Sequence, residues 1–365
     1  LRLVGSEMCI RDRFIIIDTS VTDRDYAKQG PICTGPYMVK EYSKAKAVME
    51  ANPNYWDGKV PFKVAEIPTI DDPNTRAMAL QSGEIDMAIN IASGDLQLFQ
   101  DKAKYNISEL APLRTVLAQI NMNEGRPCHD PKVRSALISC LDRETYNKVL
   151  LKDTFITGKA PIPPSLDYGF EQLTDPNAYN VERAKQLLAE AGWKDTNNDG
   201  YVDKDGKPLT LRWLTYSFRQ ELPLLAEAAQ SWLKETGIRL EINPTDGYAD
   251  FLRRGEWDIY AKAFVTAPTG DAQYYFTTHV LKESAYNSGN YYNHDTGSLV
   301  SQLGSEFTPE KRTELAAAIS RKLVDSSAFA CIAHLKMTLV MKNTVQGFAA
   351  HPCDYYEITK DLSID

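Results

Sequence analysis

The sequence predicts an α/β protein with two lobes, and three features carry that reading. Strand-like and helix-like segments alternate along most of the chain, the pattern of βαβ units. A helix end, a glycine and Glu-x-Asp leading into an apolar run occur twice, as "LQSGEIDMAI" from Leu80 and "LRRGEWDIYA" from Leu252. With 365 residues the chain is long enough for two domains, each with its own core.

The elements follow in order. "FKVAEIPTI" from Phe62 leans to strand, and "DDPNTRAMALQSG" supplies a helix with Asp72 as N-cap, Pro73 at its first position and Gly83 as its stop. "EIDMAIN" alternates, which puts Ile85, Met87 and Ile89 on one face. "RTVLAQINMN" is a further strand with Val116, Ala118, Ile120 and Met122 together. "DPKVRSALISCL" repeats the Asp-Pro helix start; Val133, Leu137, Cys140 and Leu141 form its core stripe, and Arg134 and Arg143 are expected on the solvated side. "NVERAKQLLAEAGW" is a capped helix from Asn180 to Gly192.

The opening pattern then returns in full. "PLTLRWLTY" is a strand, "RQELPLLAEAAQSWLKETG" a helix, "IRLEINP" a strand, "YADFLRRG" a short helix and "EWDIYAKAFV" a strand. This predicts one α/β unit in each lobe, a crossover helix that stops sharply at Gly, and a largely parallel sheet. "TPEKRTELAAAISRKLV" is a helix with Thr308 at the N-cap, followed by the strand "AHLKMTLVMK". No Gly/Ser-rich linker parts the lobes, so the crossings are expected in short hinge segments.

Composition narrows the function. A net charge of -8 and a pI near 5.3 exclude nucleic acid as the main partner, since phosphate binding needs a basic surface. No apolar run reaches the roughly eighteen residues that span a bilayer. The six cysteines, Cys9, Cys33, Cys128, Cys140, Cys331 and Cys353, include no C-x-x-C pair and no zinc-ligand spacing. The signatures G-x-S-x-G, H-E-x-x-H, G-x-G-x-x-G and the P-loop are absent, so an enzyme is not expected.

Two stretches are candidates for binding. In "DTNNDGYVDKDG", Asp195, Asn197, Asp199, Gly200 and Asp203 occupy positions 1, 3, 5, 6 and 9 of an EF-hand calcium loop, but Gly206 stands where the bidentate Glu belongs. A loop of Asx-turns before the strand is the expected structure, and calcium is not expected as a cofactor. The segment from Phe264 to Asp295 begins where a strand ends, which is where ligands sit on open α/β sheets. Its Tyr274, Tyr275, Tyr286, Tyr291 and Tyr292 offer wide contact area with polar tips, and it holds His279 and His294.

Four stretches together carry a family resemblance: "TGPYMVKEY" at Thr34, "NPNYWDG" at Asn52, "PTIDDPNTRAMALQSGEIDMAI" at Pro68 and "DPKVRSALISCLDRE" at Asp130. They resemble extracellular solute-binding proteins of ABC importers, family 5, the branch for peptides and nickel chelates, and the likeness runs from about Ile32 to the end. The resemblance implies a two-lobed, type II periplasmic-binding-protein fold with the ligand cleft between the lobes. It assigns 14–60 to the remnant of a small subdomain, 61–124 to the first lobe, 125–345 to the second and 346–365 to a return segment. The first thirteen residues, "LRLVGSEMCIRDR", resemble a translated sequencing adapter and are expected to carry no fold. The family's secretion signal and first segments are not in this chain, so an N-terminally truncated copy is expected.

By the same resemblance the ligand-binding residues are Tyr37, Phe264, Val265, Thr266, Pro268, Thr269, Asp271, Tyr275, Asn290, Tyr291, His351, Asp354 and Tyr355. Peptide-binding members place an Asp near the strand end to meet the peptide's amino terminus; here Ala267 stands near that place, with Asp271 as a substitute. That departure, with "APTGD" and "HPCDYYEIT", turns the expectation to a metal wrapped in a small chelator, met by few protein ligands: His351 first, then His279 and His294. Nickel is then cargo and no cofactor is required. The expected partners are that ligand and the permease subunits, for a monomer outside the cytoplasm, periplasmic or lipid-anchored. An oligopeptide- or dipeptide-binding protein is the alternative within the family, and a hydrolase on a two-lobed scaffold the rival outside it.

Overall fold

A computed structural model describes residues 17–21, 23–92, 94–350 and 358–365, with the backbone alone at 111, 112 and 337. The chain divides into two compact units, Leu1–Leu110 with Met337–Asp365, and Ala111–Lys336. The divisions expected after 124 and 345 sit elsewhere: 111–124 go with the second unit and 337–345 with the first. Two long strands, Tyr105–Ile120 and Phe329–Lys342, run on through the boundaries, so no turn in the sequence marks them.

In the first unit, helix α1 (Tyr26–Gln29) precedes an antiparallel sheet of β1 (Tyr37–Tyr42), β2 (Lys46–Ala51) and β3 (Val64–Pro68), in that order. Helix α2 (Pro73–Ser82) starts as the sequence predicts: the Asp72 carboxylate accepts from the Thr75 N–H at 2.7 Å. It stops at Gly83, whose φ of 85° is in the left-handed region. There the N–H groups of Gly83 and Glu84 turn back to the carbonyls of Leu80 and Ala79. β4 (Met87–Ile89) follows and is covered on both sides. Ala88 and Ile85 join one apolar cluster while Met87 and Ile89 join another, so Ile85 does not share their face as its spacing suggested.

The second unit is built on a mixed sheet. Its strands are β5 (Tyr105–Ile120), β6 (Phe155–Thr157), β9 (Thr210–Thr215), β10 (Arg239–Pro244), β11 (Ile259–Val265) and β12 (Phe329–Lys342). They lie in the order β10-β9-β11-β5-β12, with β6 also on β12. β10–β9 and β9–β11 are parallel, whereas β11–β5 and β12–β6 are antiparallel. The expectation of a largely parallel sheet holds for the βαβ stretch alone, where α6 (Glu221–Glu235) and α7 (Tyr248–Arg254) make the crossovers. The early copy differs further, since β3 pairs with β2 whereas β4 pairs with β12.

α3 (Pro131–Ser139) buries Val133, Leu137, Cys140 and Leu141 as expected, beside α5 (Val181–Glu190). α4 (Arg143–Thr145) runs into a π turn, and the buried Arg143 does not face solvent. Its guanidinium donates to the carbonyls of Gly158, Cys331 and Asn177 and pairs with Asp175. Arg134 likewise donates to the carbonyls of Cys128, His129 and Ser326. Val116, Ala118 and Ile120 share a cluster, but Met122, past the end of β5, packs with the cluster on the other side. α8 (Gln273–His279), α9 (His294–Ser305) and α10 (Pro309–Asp325) complete the unit. At α10 Thr308 holds the N-cap position as expected, without a side-chain capping bond, and the Glu306 carboxylate takes the N–H groups of Phe307 and Thr308 just before the helix.

The repeated glycine motif has one physical cause in both copies. Gly255 ends α7 with φ 67°, and the N–H groups of Gly255 and Glu256 return to Leu252 and Phe251. In each copy a cation then bonds both the glycine carbonyl and the Asp three residues on. Lys342 bridges Gly83 and Asp86, and Arg126 bridges Gly255 and Asp258. Arg212 adds a second pairing to Asp258 at 3.0 Å.

Candidate functional site

Midway along β11 one charged side chain stands in an apolar strand. Tyr260, Lys262 and Phe264 alternate onto one face, and Lys262 is only 5% exposed. Its ammonium lies 5.0 Å from the Phe264 ring centre, 5.3 Å from Tyr286 and 5.7 Å from Tyr260, distances at which a cation is held by π faces. It is also 2.9 Å from Nε2 of His279, on α8.

The hydrogen bonds fix the His279 tautomer. The Thr278 hydroxyl donates to the Tyr274 carbonyl at 2.6 Å, so its oxygen is left to accept from Nδ1–H of His279 at 2.9 Å. Nε2 is therefore the acceptor for Lys262. Burial, and then the Lys262 charge, push the His279 pKa well below the ordinary imidazole value. The ring is neutral, stacked on Tyr275 at 4.4 Å and edge-on to Phe264 at 4.5 Å. A nitrogen that already accepts from an ammonium has no lone pair to give to a metal.

The other expected residues are dispersed. Phe264, Val265 and Thr266 are buried, with the Thr266 N–H donating to Leu113. Pro268 and Thr269 form the turn after them and are more open. Asp271 is committed on both oxygens, one to the Arg312 guanidinium at 2.6 Å and one to the Gln273 N–H at 2.8 Å. Tyr275 is fully buried on α8 among apolar neighbours. Tyr291 is buried with its hydroxyl on Thr296, while Asn290 is exposed with φ 58°. His294 starts α9 and is exposed, and Tyr37 is buried at the start of β1 in the first unit. His351, Asp354 and Tyr355 lie outside the described residues. Lys262 escaped the sequence reading; the signal for it was a single cation inside "IYAKAFV".

The acidic loop is closed on itself. Asp195 accepts from Gly200, Asn197 from Asp199, Asp199 from Tyr201, and Asp203 from both N–H and hydroxyl of Thr196. It leads into a two-stranded hairpin, β7 (Asp203–Lys204) and β8 (Lys207–Pro208). Among the described residues no group of three or more His, Cys, Asp or Glu is placed to hold a metal ion. A cavity of about 580 Å³ lies by α4 and β6, lined among others by Arg143, Glu144, Lys148, Lys159, Asp175 and Tyr179. Within it Arg143 pairs with Asp175 and Lys148 with Glu144.

Crossover helices on a mixed sheet whose parallel strands end in loops on one edge define an α/β fold of the kind that takes ligands at those ends. The family model for bacterial extracellular solute-binding proteins, family 5 Middle, matches residues 12–287, and the chain belongs to that family. It is 26% identical to the nickel-binding protein NikA of Staphylococcus aureus over 340 residues, which cover 92% of this chain and 66% of that protein. It is 27% identical to the oligopeptide-binding protein AppA of Bacillus subtilis over 346 residues, 93% of this chain and 63% of that one. The chain thus spans just under two thirds of the length of these two relatives. The crystal structure of Staphylococcus aureus NikA in complex with Ni(L-His)2 has a TM-score of 0.83 and 25% identity, covering 96% of this chain and 72% of the other.

Proposed function

We propose that this chain is the solute-capturing component of an ABC importer, and that its solute is a metal chelate of the metallophore type, with nickel the metal. It delivers the solute unaltered to the permease, outside the cytoplasm, and acts as a monomer. The observation that carries the choice of solute is the fate of the acid at the end of β11. A peptide's ammonium needs a carboxylate there, and between Phe264 and Phe276 the only acid is Asp271, whose oxygens both serve the fold. Ala267, near the place of a peptide binder's Asp, is buried. Pro268, Thr269 and Asn290 are the more open of the ligand residues, and His351 is the imidazole that meets the metal. Binding favours the conformation the permease recognises only by its differential affinity for that state.

Calorimetry on the purified protein tests this. Nickel–histidine should bind at a single saturable site, mixed tripeptides without metal should give no heat, and His351→Ala should weaken the chelate. A tripeptide that binds in the absence of metal makes the protein a peptide receptor, the second reading within the family.

A further inference from the structure

An aromatic ladder climbs from the core of the second unit to its surface at the ends of the parallel strands. Tyr260 on β11 stacks on Tyr248 of α7 with centres 5.6 Å apart and planes at 22°. Tyr248 meets Tyr216, just past β9, at 5.4 Å. Tyr216 stacks on Phe218 at 4.2 Å and 12°. The ladder is held rigidly. The Tyr216 hydroxyl accepts from the Ala263 N–H at 3.0 Å, and the Thr245 N–H donates to the Thr215 carbonyl at 2.8 Å. The loop after β9 is tied to the loop after β10 by Ser217 and Asp246 at 3.2 Å.

The last rung is the unusual one. Phe218 is 43% exposed, although one face of its ring is covered by Tyr216. A rigid aromatic face left open at the carboxyl ends of β9 and β10 lies where α/β sheets place their ligands. Aromatic rings stack offset or parallel on such a face, and the ring already positioned loses little conformational freedom when a second joins it.

We propose that the open face of Phe218 is a stacking subsite for a planar ring of the solute, so that the chain prefers chelators carrying an imidazole or similar ring over aliphatic ones. This rests on the proposed chelate-binding function and adds a structural requirement on the chelator.

Calorimetry of the wild type, Phe218→Ala and Phe218→Tyr tests it with two probes, nickel–histidine and nickel–glycine, of which only the first carries an aromatic ring. Phe218→Ala should weaken nickel–histidine by about 3- to 10-fold. It should change nickel–glycine by less than about twofold, and Phe218→Tyr should restore the preference. Equal weakening of both chelates, or no weakening of either, overturns the subsite. If the wild type takes neither chelate but binds tripeptides, the proposed solute falls. The same three proteins are then compared on Ala-Phe-Ala and Ala-Ala-Ala, where loss confined to the ring-bearing peptide upholds the subsite and loss shared or absent rejects it.

Discussion

His334, on β12, is fully buried, and its one described hydrogen bond is to Thr115 at 2.9 Å. The Thr115 hydroxyl donates to the Pro161 carbonyl, so the imidazole gives Nδ1–H and stays neutral, and burial pushes its pKa down to about 3. An unfolded chain would titrate it near 6.5. Between those values the unfolded state holds the extra proton, so its contribution to stability falls as the pH drops from 6.5 toward 3. His279 is shifted the same way and adds to the slope. Chemical denaturation of His334→Gln at a series of pH values should show a slope shallower by up to about 1.4 kcal/mol per pH unit than the wild type. An unchanged slope would mean that the buried ring does not titrate with unfolding. Nothing local in the sequence distinguishes this histidine. Its burial, like that of Lys262, follows from β5, β12 and α8 meeting through contacts far apart in the chain. By contrast Asp72, Asn180 and Gly83 act within three or four residues of themselves, and their roles could be read directly.

Helices obey those local rules closely, and the two glycine stops are where the rules can be measured. Both Gly83 and Gly255 hold φ values that an L side chain adopts only with strain, while an added Cβ would meet nothing nearer than 3.6 Å at Gly83 and 3.7 Å at Gly255. The cost of Gly→Ala is therefore backbone strain rather than collision, about 1–2 kcal/mol at each position. Equilibrium unfolding of Gly83→Ala and Gly255→Ala reads it; loss well below that range would show that the chain finds another way to end these helices. Strand partners were harder to foresee. Alternating strand and helix suggested parallel pairing, but β5 and β12 are joined to their neighbours through long excursions, and a long connection leaves the direction of pairing open. Period-two patterns also mislead where both faces of a strand are covered, as at β4 and β5.

The family was legible because its motifs are contiguous stretches, and the match over residues 12–287 bears it out. The solute was not, because recognition depends on side chains from separate elements: Asp271 looked like a substitute carboxylate until Arg312, some forty residues on, was seen to occupy it. Relatives named for nickel and for oligopeptides stand at 26% and 27% identity, too even to choose between. The choice falls to capture and recovery. The protein is loaded with nickel–histidine in the presence of competing tripeptides, desalted and denatured, and the released material is analysed for metal and by mass spectrometry. One nickel per chain, with intact histidine and no peptide, is the predicted yield. Retained peptide without nickel, or a solute returned chemically changed, would contradict a chelate receptor.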